Sequence, residues 1–206
     1  MMPVGLLLAA GRGQRFDPSG VQHKLLQTLP DGRRVAEAAA DTLLAAVPQV
    51  LALLPANHNP HTDALRAVLA SRGCIVLGCA DAHLGMGHTL AAGVAASAEA
   101  PGWLVLLADM PWVQFTTVCA VRDALRERDA LVQPVHAGQP GHPVGFPPRY
   151  RDALLALQGD RGAKAVLAGQ SVWQVETADT GVLRDVDTAA DLRPAVSAGP
   201  QALRLD

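Results

Sequence analysis

Residues 4–24 constrain this chain more than any other stretch. An apolar run from Val4 to Ala10 breaks into Gly11-Arg12-Gly13-Gln14-Arg15-Phe16 and then a polar segment ending at Lys24. A short apolar run of this kind reads as a buried strand. Gly11 and Gly13 carry no Cβ, so backbone N–H groups there can come close to phosphates. Arg12 and Arg15 add charge, and Lys24 adds a flexible third cation. The expectation is a first strand whose C-terminal end opens into a loop that holds a nucleotide. The plainer alternative is a strand-to-helix turn with exposed arginines. Two familiar phosphate loops are excluded. The pattern G-x-x-x-x-G-K-[ST] is absent, and the third glycine of G-x-G-x-x-G falls on Phe16.

A chain of 206 residues suits one α/β domain. Half of it is hydrophobic, enough for a sizeable core, and 17% is charged, below the usual ~25%. A net charge of −2 offers no basic field for nucleic acid, and 3% aromatics offer little to stack bases on. Lys24 and Lys164 are the only lysines. In a chain whose default cation is arginine, each hints at a need for a compact ammonium. Cys74, Cys79 and Cys119 are odd in number and lack C-x-x-C spacing, so they read as apolar fillers in a reducing compartment. Cys74 and Cys79 with His83 and His88 match no zinc-ligand spacing. The opening apolar run is too short for a membrane helix and lacks a positive leader, which gives the expectation of a soluble cytoplasmic protein with no membrane partner.

Apolar runs alternate with helical patterns, which argues for an α/β fold with a largely parallel sheet. Strands are expected at Leu25–Leu29, Gln49–Leu54, Cys74–Leu77, Trp103–Leu107, Ala130–Val135, His142–Phe146, Val172–Val175 and Val182–Asp185. Helices are expected at Val35–Ala46, Pro60–Ser71, His88–Ala98, Phe115–Arg128, Arg149–Leu157, Gly162–Leu167 and Thr188–Ala195. Asp81–Gly87 reads as a loop and Ala137–Gly141 as a glycine-rich connection. The domain is expected over residues 1–196, with a loose tail over 197–206.

Ligands of open α/β sheets bind beyond the carboxyl ends of the strands. Asp109 stands at that end of the most hydrophobic strand, in Ala108-Asp109-Met110-Pro111. A carboxylate there, near a phosphate loop, suits Mg²⁺, which takes one or two carboxylates plus substrate phosphates. Capping the next helix is the other use for such an aspartate. Asp185 and Asp187 share one side of an extended segment, and either can face a metal; Asp187 or Thr188 can equally cap the last helix.

These residues carry a resemblance. LAAGRGQRF at Leu8–Phe16 with Lys24, GMGHTLAAGV at Gly85–Val94 and LLADMPWV at Leu106–Val113 are followed by GHPVGF at Gly141–Phe146, GDRGAKAVL at Gly159–Leu167 and DVDTAADL at Asp185–Leu192. The sequence resembles the molybdenum cofactor nucleotidyltransferases, of nucleotide-diphospho-sugar transferase fold, and most of all their cytidylyltransferase branch. The resemblance implies a single three-layer, Rossmann-like domain that moves CMP from CTP to the terminal phosphate of molybdenum-bearing molybdopterin, releasing pyrophosphate. The product would serve the apo-form of a molybdenum hydroxylase. It further implies that Gly11, Arg12, Gly13 and Arg15 embrace the CTP phosphates, that Lys24 neutralises charge at the α-phosphate, and that Asp109 and Asp187 hold Mg²⁺. Leu8, Ala9 and Ala10 would meet the base through backbone groups, with Thr89 helping. His142 would border the pterin. Asp160 and Lys164 would contact the second substrate or tie down a loop.

The chain departs from its relatives in three places. Asp17-Pro18-Ser19-Gly20 follows Phe16 where glycine is common, Thr89 replaces a serine, and Lys164 replaces a frequent arginine. The guanylyl branch tends to carry glycine at the place of Ala10, whose methyl would narrow the base slot against a purine. Three other readings use the same features. They are a guanylyl transferase, a sugar- or polyol-phosphate nucleotidyltransferase on the same fold, and a non-catalytic molybdopterin carrier.

Overall fold

The computed structural model describes residues 1–193 except 12 and 14. The tail expected from Ser197 therefore lies outside the described residues, as does Arg12. Eight strands form one sheet: β1 (Val4–Leu8), β2 (Val50–Pro55), β3 (Ile75–Cys79), β4 (Trp103–Leu107), β5 (Leu131–His136), β6 (Gln139–Pro140), β7 (Val144–Phe146) and β8 (Val172–Glu176). The order is β3-β2-β1-β4-β7-β5-β6, with β8 on the other side of β5. β1, β2, β3 and β4 run parallel, whereas β7 is antiparallel to both β4 and β5.

β1 is buried along its whole length because parallel neighbours flank it and helices cover both faces. The helices are α1 (Val35–Ala46), α2 (Pro60–Ser71), α3 (Met86–Ala95), α4 (Phe115–Arg128), α5 (Arg151–Leu155) and α6 (Gly162–Leu167). α1, α2 and α4 close one layer over Leu7, Ala52, Leu54, Leu104 and Leu106. α3, α5 and α6 close the other over Leu6, Leu53, Val105 and Phe146. The three layers and the mostly parallel sheet are those the resemblance implies. None of the described helices is long and apolar enough to cross a membrane.

Several short segments differ from expectation, each for a local reason. Leu25–Leu29 has no partner strand. Lys24–Leu26 is a 3-10 turn capped by His23, and only Thr28 forms a bridge, with Arg34 across the turn at Gly32. Val182–Asp185 is not a strand either. Asp179 is buried and accepts from Gly181 N (2.8 Å), Gln114 N (2.8 Å) and Thr117 Oγ1 (2.9 Å), which winds Thr180–Leu183 into a 3-10 turn. Within Thr188–Ala195 the described part is a 3-10 turn, Ala189–Leu192. Asp191 satisfies the Thr188 N–H there at 2.7 Å. Ala80–Leu84 is a 3-10 turn inside the expected loop. α3 begins at Met86 rather than His88, directly after Gly85 (φ +125°). A 3-10 turn over Pro148–Tyr150 precedes the shorter α5. Part of the glycine-rich connection pairs as β6. The three cysteines are free thiols, Cys74 and Cys79 buried and Cys119 half-buried.

Candidate active site

β1 and β4 are parallel neighbours, so their C-terminal ends open side by side. The backbone continues the pairing past both strands, with Ala9 N–H on Leu53 O and Ala108 N–H on Leu8 O. This delivers Ala10 and Asp109 to one rim. Val186 N–H donates to Asp109 O at 2.8 Å, which lays the Asp185–Asp187 segment against that same end.

Lys24 reaches the rim from below. Its ammonium, 8% exposed as a side chain, lies 2.6 Å from Asp109 Oδ2 and 3.2 Å from Asp187 Oδ1. Arg15, largely exposed, places a guanidinium nitrogen 2.6 Å from Asp187 Oδ2. Burial alone would lower the Lys24 pKa; Asp109 and then Asp187 outweigh it and hold the ammonium above its usual range. Gly13 (φ +63°) folds the loop back so that a Cβ there would stand 3.5 Å from Lys24 Cγ, packing the loop on the lysine stem. The loop after Phe16 is organised by Asp17. Its carboxylate accepts from Ser19 N (2.8 Å), Ser19 Oγ (2.6 Å) and Gln22 N (2.7 Å). These bonds hold its pKa down. Asp17, the residue after Phe16, is thus the one that closes the loop.

The acidic cluster is larger than the two aspartates expected. Asp109, Asp185 and Asp187 each bring a carboxylate oxygen within 4.8 Å of the others. Asp109 Oδ1 is buried with no hydrogen-bond partner among the described residues. Burial first, and then the neighbouring Asp187, hold the Asp185 carboxyl above its usual range. Three crowded carboxylates with an unsatisfied buried oxygen form a hard, all-oxygen donor set of the kind that suits a divalent cation.

Of the cavities at this rim, two share Leu107. The first, about 430 Å³, is walled by Leu8, Ala10, Gly11, Lys24, Thr89 and Asp109, and also by Gly85, Met86 and Asp160. Ala9 is buried behind it and Gly13 lies outside its lining. The second, about 590 Å³, is lined by Gln133, His142, Lys164 and Asp185 among apolar side chains. His142 Nδ1 lies 3.5 Å from Val105 O, and desolvation lowers its pKa. The GDRGAK segment therefore faces both cavities, with Asp160 on the first and Lys164 on the second. Of this arrangement, sequence reasoning left open the side that Asp160 takes and held Asp185 and Asp187 as alternatives rather than as a pair. The alternation in DVD, which puts both carboxylates on one side of an extended chain, was the available signal for the latter.

The profile of the MobA-like NTP transferase domain matches residues 5–177. The chain belongs to the MobA-like NTP transferase family. It is therefore a nucleotidyltransferase by family, and the likeness first seen in the motifs extends along most of the chain. The purine catabolism protein PucB of Bacillus subtilis (strain 168) is 32% identical to it over 115 residues, 53% of this chain and 55% of that protein. The chain thus spans about half the length of the curated relative it matches. The structure of Rv0371c from Mycobacterium tuberculosis H37Rv superposes with a TM-score of 0.75 at 27% identity, over 93% of this chain and 96% of that one. A second structure of Rv0371c, in complex with manganese, gives 0.72 at 25% over the same shares. The molybdopterin-guanine dinucleotide biosynthesis protein A of Archaeoglobus fulgidus shares the fold, with a TM-score of 0.65 at 16% identity over 92% and 94% of the two chains.

Proposed function

We propose that this MobA-like transferase moves CMP from CTP to the terminal phosphate of molybdenum-bearing molybdopterin, releasing pyrophosphate, in the maturation of a molybdenum hydroxylase. The observation that carries the reading is the pair of cavities that share Leu107, the first lined by Lys24 and Asp109 and the second by Asp185, whose carboxylate clusters with Asp109 and Asp187. A donor nucleotide occupies the first cavity and an acceptor phosphate enters from the second. The acceptor oxygen forms a bond to the α-phosphorus as the bond from that phosphorus to the pyrophosphate oxygen breaks. No side chain becomes covalently attached.

Such a displacement depends on positioning and on offsetting charge between two anions. Gly11 and Gly13 present backbone N–H groups to the phosphates, and the charges of Arg12 and Arg15 add to the attraction. Lys24 gives up its carboxylates for the α-phosphate. Thr89 and the Leu8–Ala10 backbone border the nucleoside, and His142 and Lys164 face the acceptor. Asp109 and Asp187, with Asp185 beside them, would hold Mg²⁺ or a similar cation, which neutralises phosphate charge when bound. That the similar Rv0371c has been solved in complex with manganese supports a divalent cation as cofactor. The molybdopterin acceptor is supported by the motifs from Gly141 onward, and the cytidylyl preference by the methyl of Ala10 in the first cavity. The setting this implies is the cytoplasm, with free thiols kept reduced.

A screen of nucleoside triphosphates with Mg²⁺ and molybdenum-bearing molybdopterin, reading pyrophosphate, tests the proposal. Release is expected with CTP well above GTP. A clear GTP preference would overturn the cytidylyl assignment, and release with sugar phosphates alone would overturn the acceptor.

A further inference from the structure

The GDRG turn sits where the resemblance offers no role for it in reading the nucleotide. Gly159–Arg161 forms a 3-10 turn seated on the first turn of α3. Gly159 N–H donates to His88 Nδ1 at 3.2 Å, and a Cβ on Gly162 would stand 3.0 Å from Met86 Sδ. A Cβ on Gly85 would stand 2.5 Å from Asp160 Oδ1, so the carboxylate lies directly over the Gly85 backbone. Position 85 has to be glycine both for that approach and for its φ of +125°. The turn is thereby held against α3 by backbone and side-chain contacts, and Asp160 is presented to the first cavity. Among the described residues its carboxylate has no hydrogen-bond or ion-pair partner.

Resting on the reading of the first cavity as the nucleotide site, we infer that Asp160 selects the base by accepting a hydrogen bond from its exocyclic amino group. The triphosphate belongs beside Gly11 and Lys24, so the nucleoside end lies toward Gly85, Met86, Thr89 and Asp160. A carboxylate there repels phosphate and helps set the direction in which the nucleotide enters. An ionised carboxylate only accepts hydrogen bonds. Cytosine offers it a 4-amino donor. Uracil offers a carbonyl oxygen at the same place, leaving two acceptors face to face and neither satisfied. Ala10 sorts by size on one wall of the cavity, and Asp160 sorts by donor chemistry on another.

The test is equilibrium binding, by titration calorimetry with Mg²⁺, of CTP, UTP and 2′-deoxy-CTP to the full chain and to its Asp160→Asn variant. Asp160 is exposed, so the variant keeps its fold, which its melting temperature checks. The wild type is expected to favour CTP over UTP by about tenfold or more, the scale of a hydrogen bond to a charged group. The variant is expected to close most of that gap, because an amide can donate to the uracil oxygen. The ratio of CTP to 2′-deoxy-CTP should be alike in both proteins. An unchanged CTP-to-UTP ratio overturns the inference. So does a change confined to the 2′-deoxy comparison, which would assign Asp160 to the ribose. A wild-type preference for GTP over CTP would sink the cytidylyl reading instead. Asp160 is then read on GTP against ITP, which lacks the 2-amino group: a preference for GTP that the variant loses upholds the inference, and one it keeps overturns it.

Discussion

Lys24 is the residue whose removal should separate a metal-competent site from an ordinary ion-pair network. In the free chain its ammonium bridges Asp109 and Asp187 at 2.6 and 3.2 Å, with side-chain exposures of 8%, 18% and 23% for the three residues. Replacing it with Met keeps most of the stem volume and leaves the carboxylates facing one another. Removing one partner of a buried pair costs roughly 3–5 kcal/mol. The carboxylates here are partly wetted, so about 3 kcal/mol is the appropriate end of that range. For a chain of this size each kcal/mol moves Tm by ~2–4 °C, giving a drop of roughly 6–12 °C without divalent ions. A divalent cation at about 100 times its Kd returns ~2.7 kcal/mol, most of the loss. Thermal melts of Lys24→Met with and without Mn²⁺ are therefore expected to differ by several degrees. The wild type, whose carboxylates already hold a cation, should gain much less. Equal Mn²⁺ responses in the two proteins, or no drop in the metal-free variant, would refute the idea that the ammonium occupies the place of the metal.

Asp109→Asn should keep the fold but lower turnover by about 10²–10³, the usual cost of losing one electrostatic contact at a developing charge; pyrophosphate release under saturating CTP measures it. Ala10→Gly should widen the base slot and move the ratio of CTP to GTP turnover toward GTP, and an unchanged ratio would count against the size argument. Acid should destabilise the free chain well before its carboxylates titrate. Burial first, then His61 and Lys24, lower the His23 pKa to about 4 from its ordinary 6.5. Between those values the unfolded chain binds a proton that the folded chain refuses, so stability falls as pH drops from 6.5. Denaturation midpoints at pH 7, 6 and 5 should decline less steeply in His23→Asn than in the wild type; His142, also lowered, keeps some slope in both.

Elements with a strong pattern of their own were legible because their own residues decide them. α1, α2, α4 and β4 begin and end where the sequence pattern placed them. Each has enough apolar periodicity or β-branched and aromatic content to outvote its neighbours. The segments at 25–29 and 182–185 are four or five residues long. His23 caps the first locally. In the second, Asp179 holds Gly181 N and is itself fixed by Gln114 and Thr117, which a local reading of the sequence does not contain. Lys24, Asp109 and Asp187 do converge as the motifs implied, and their meeting depends on strand order. Asp160 and Lys164 are four residues apart yet face different cavities, a separation that only the packing of the GDRG turn on α3 decides.

The antiparallel arm of the sheet, β6 and β7, explains why a second cavity stands beside the first at the end of β4. In an all-parallel sheet only the ends of strands face the ligand edge, and their loops must lead on into covering helices. β7 reverses this. It pairs with β4 so that Val144 lies opposite Val105 and Phe146 opposite Trp103. Extending that register backwards puts His142 opposite Leu107, so the start of β7 arrives at the edge where β4 ends. The residues before it, Pro140 and Gly141, then line the second cavity with no helix in between. Val182 O accepts the His142 N–H at 3.0 Å, which ties the segment leading to Asp185 and Asp187 onto the same edge. Donor and acceptor sites thus share one carboxylate-bearing rim because β7 runs opposite to β4. A shift of β7 by one residue would turn His142 to the other face of the sheet. It would also part the acceptor wall from Asp109 and leave the donor cavity intact.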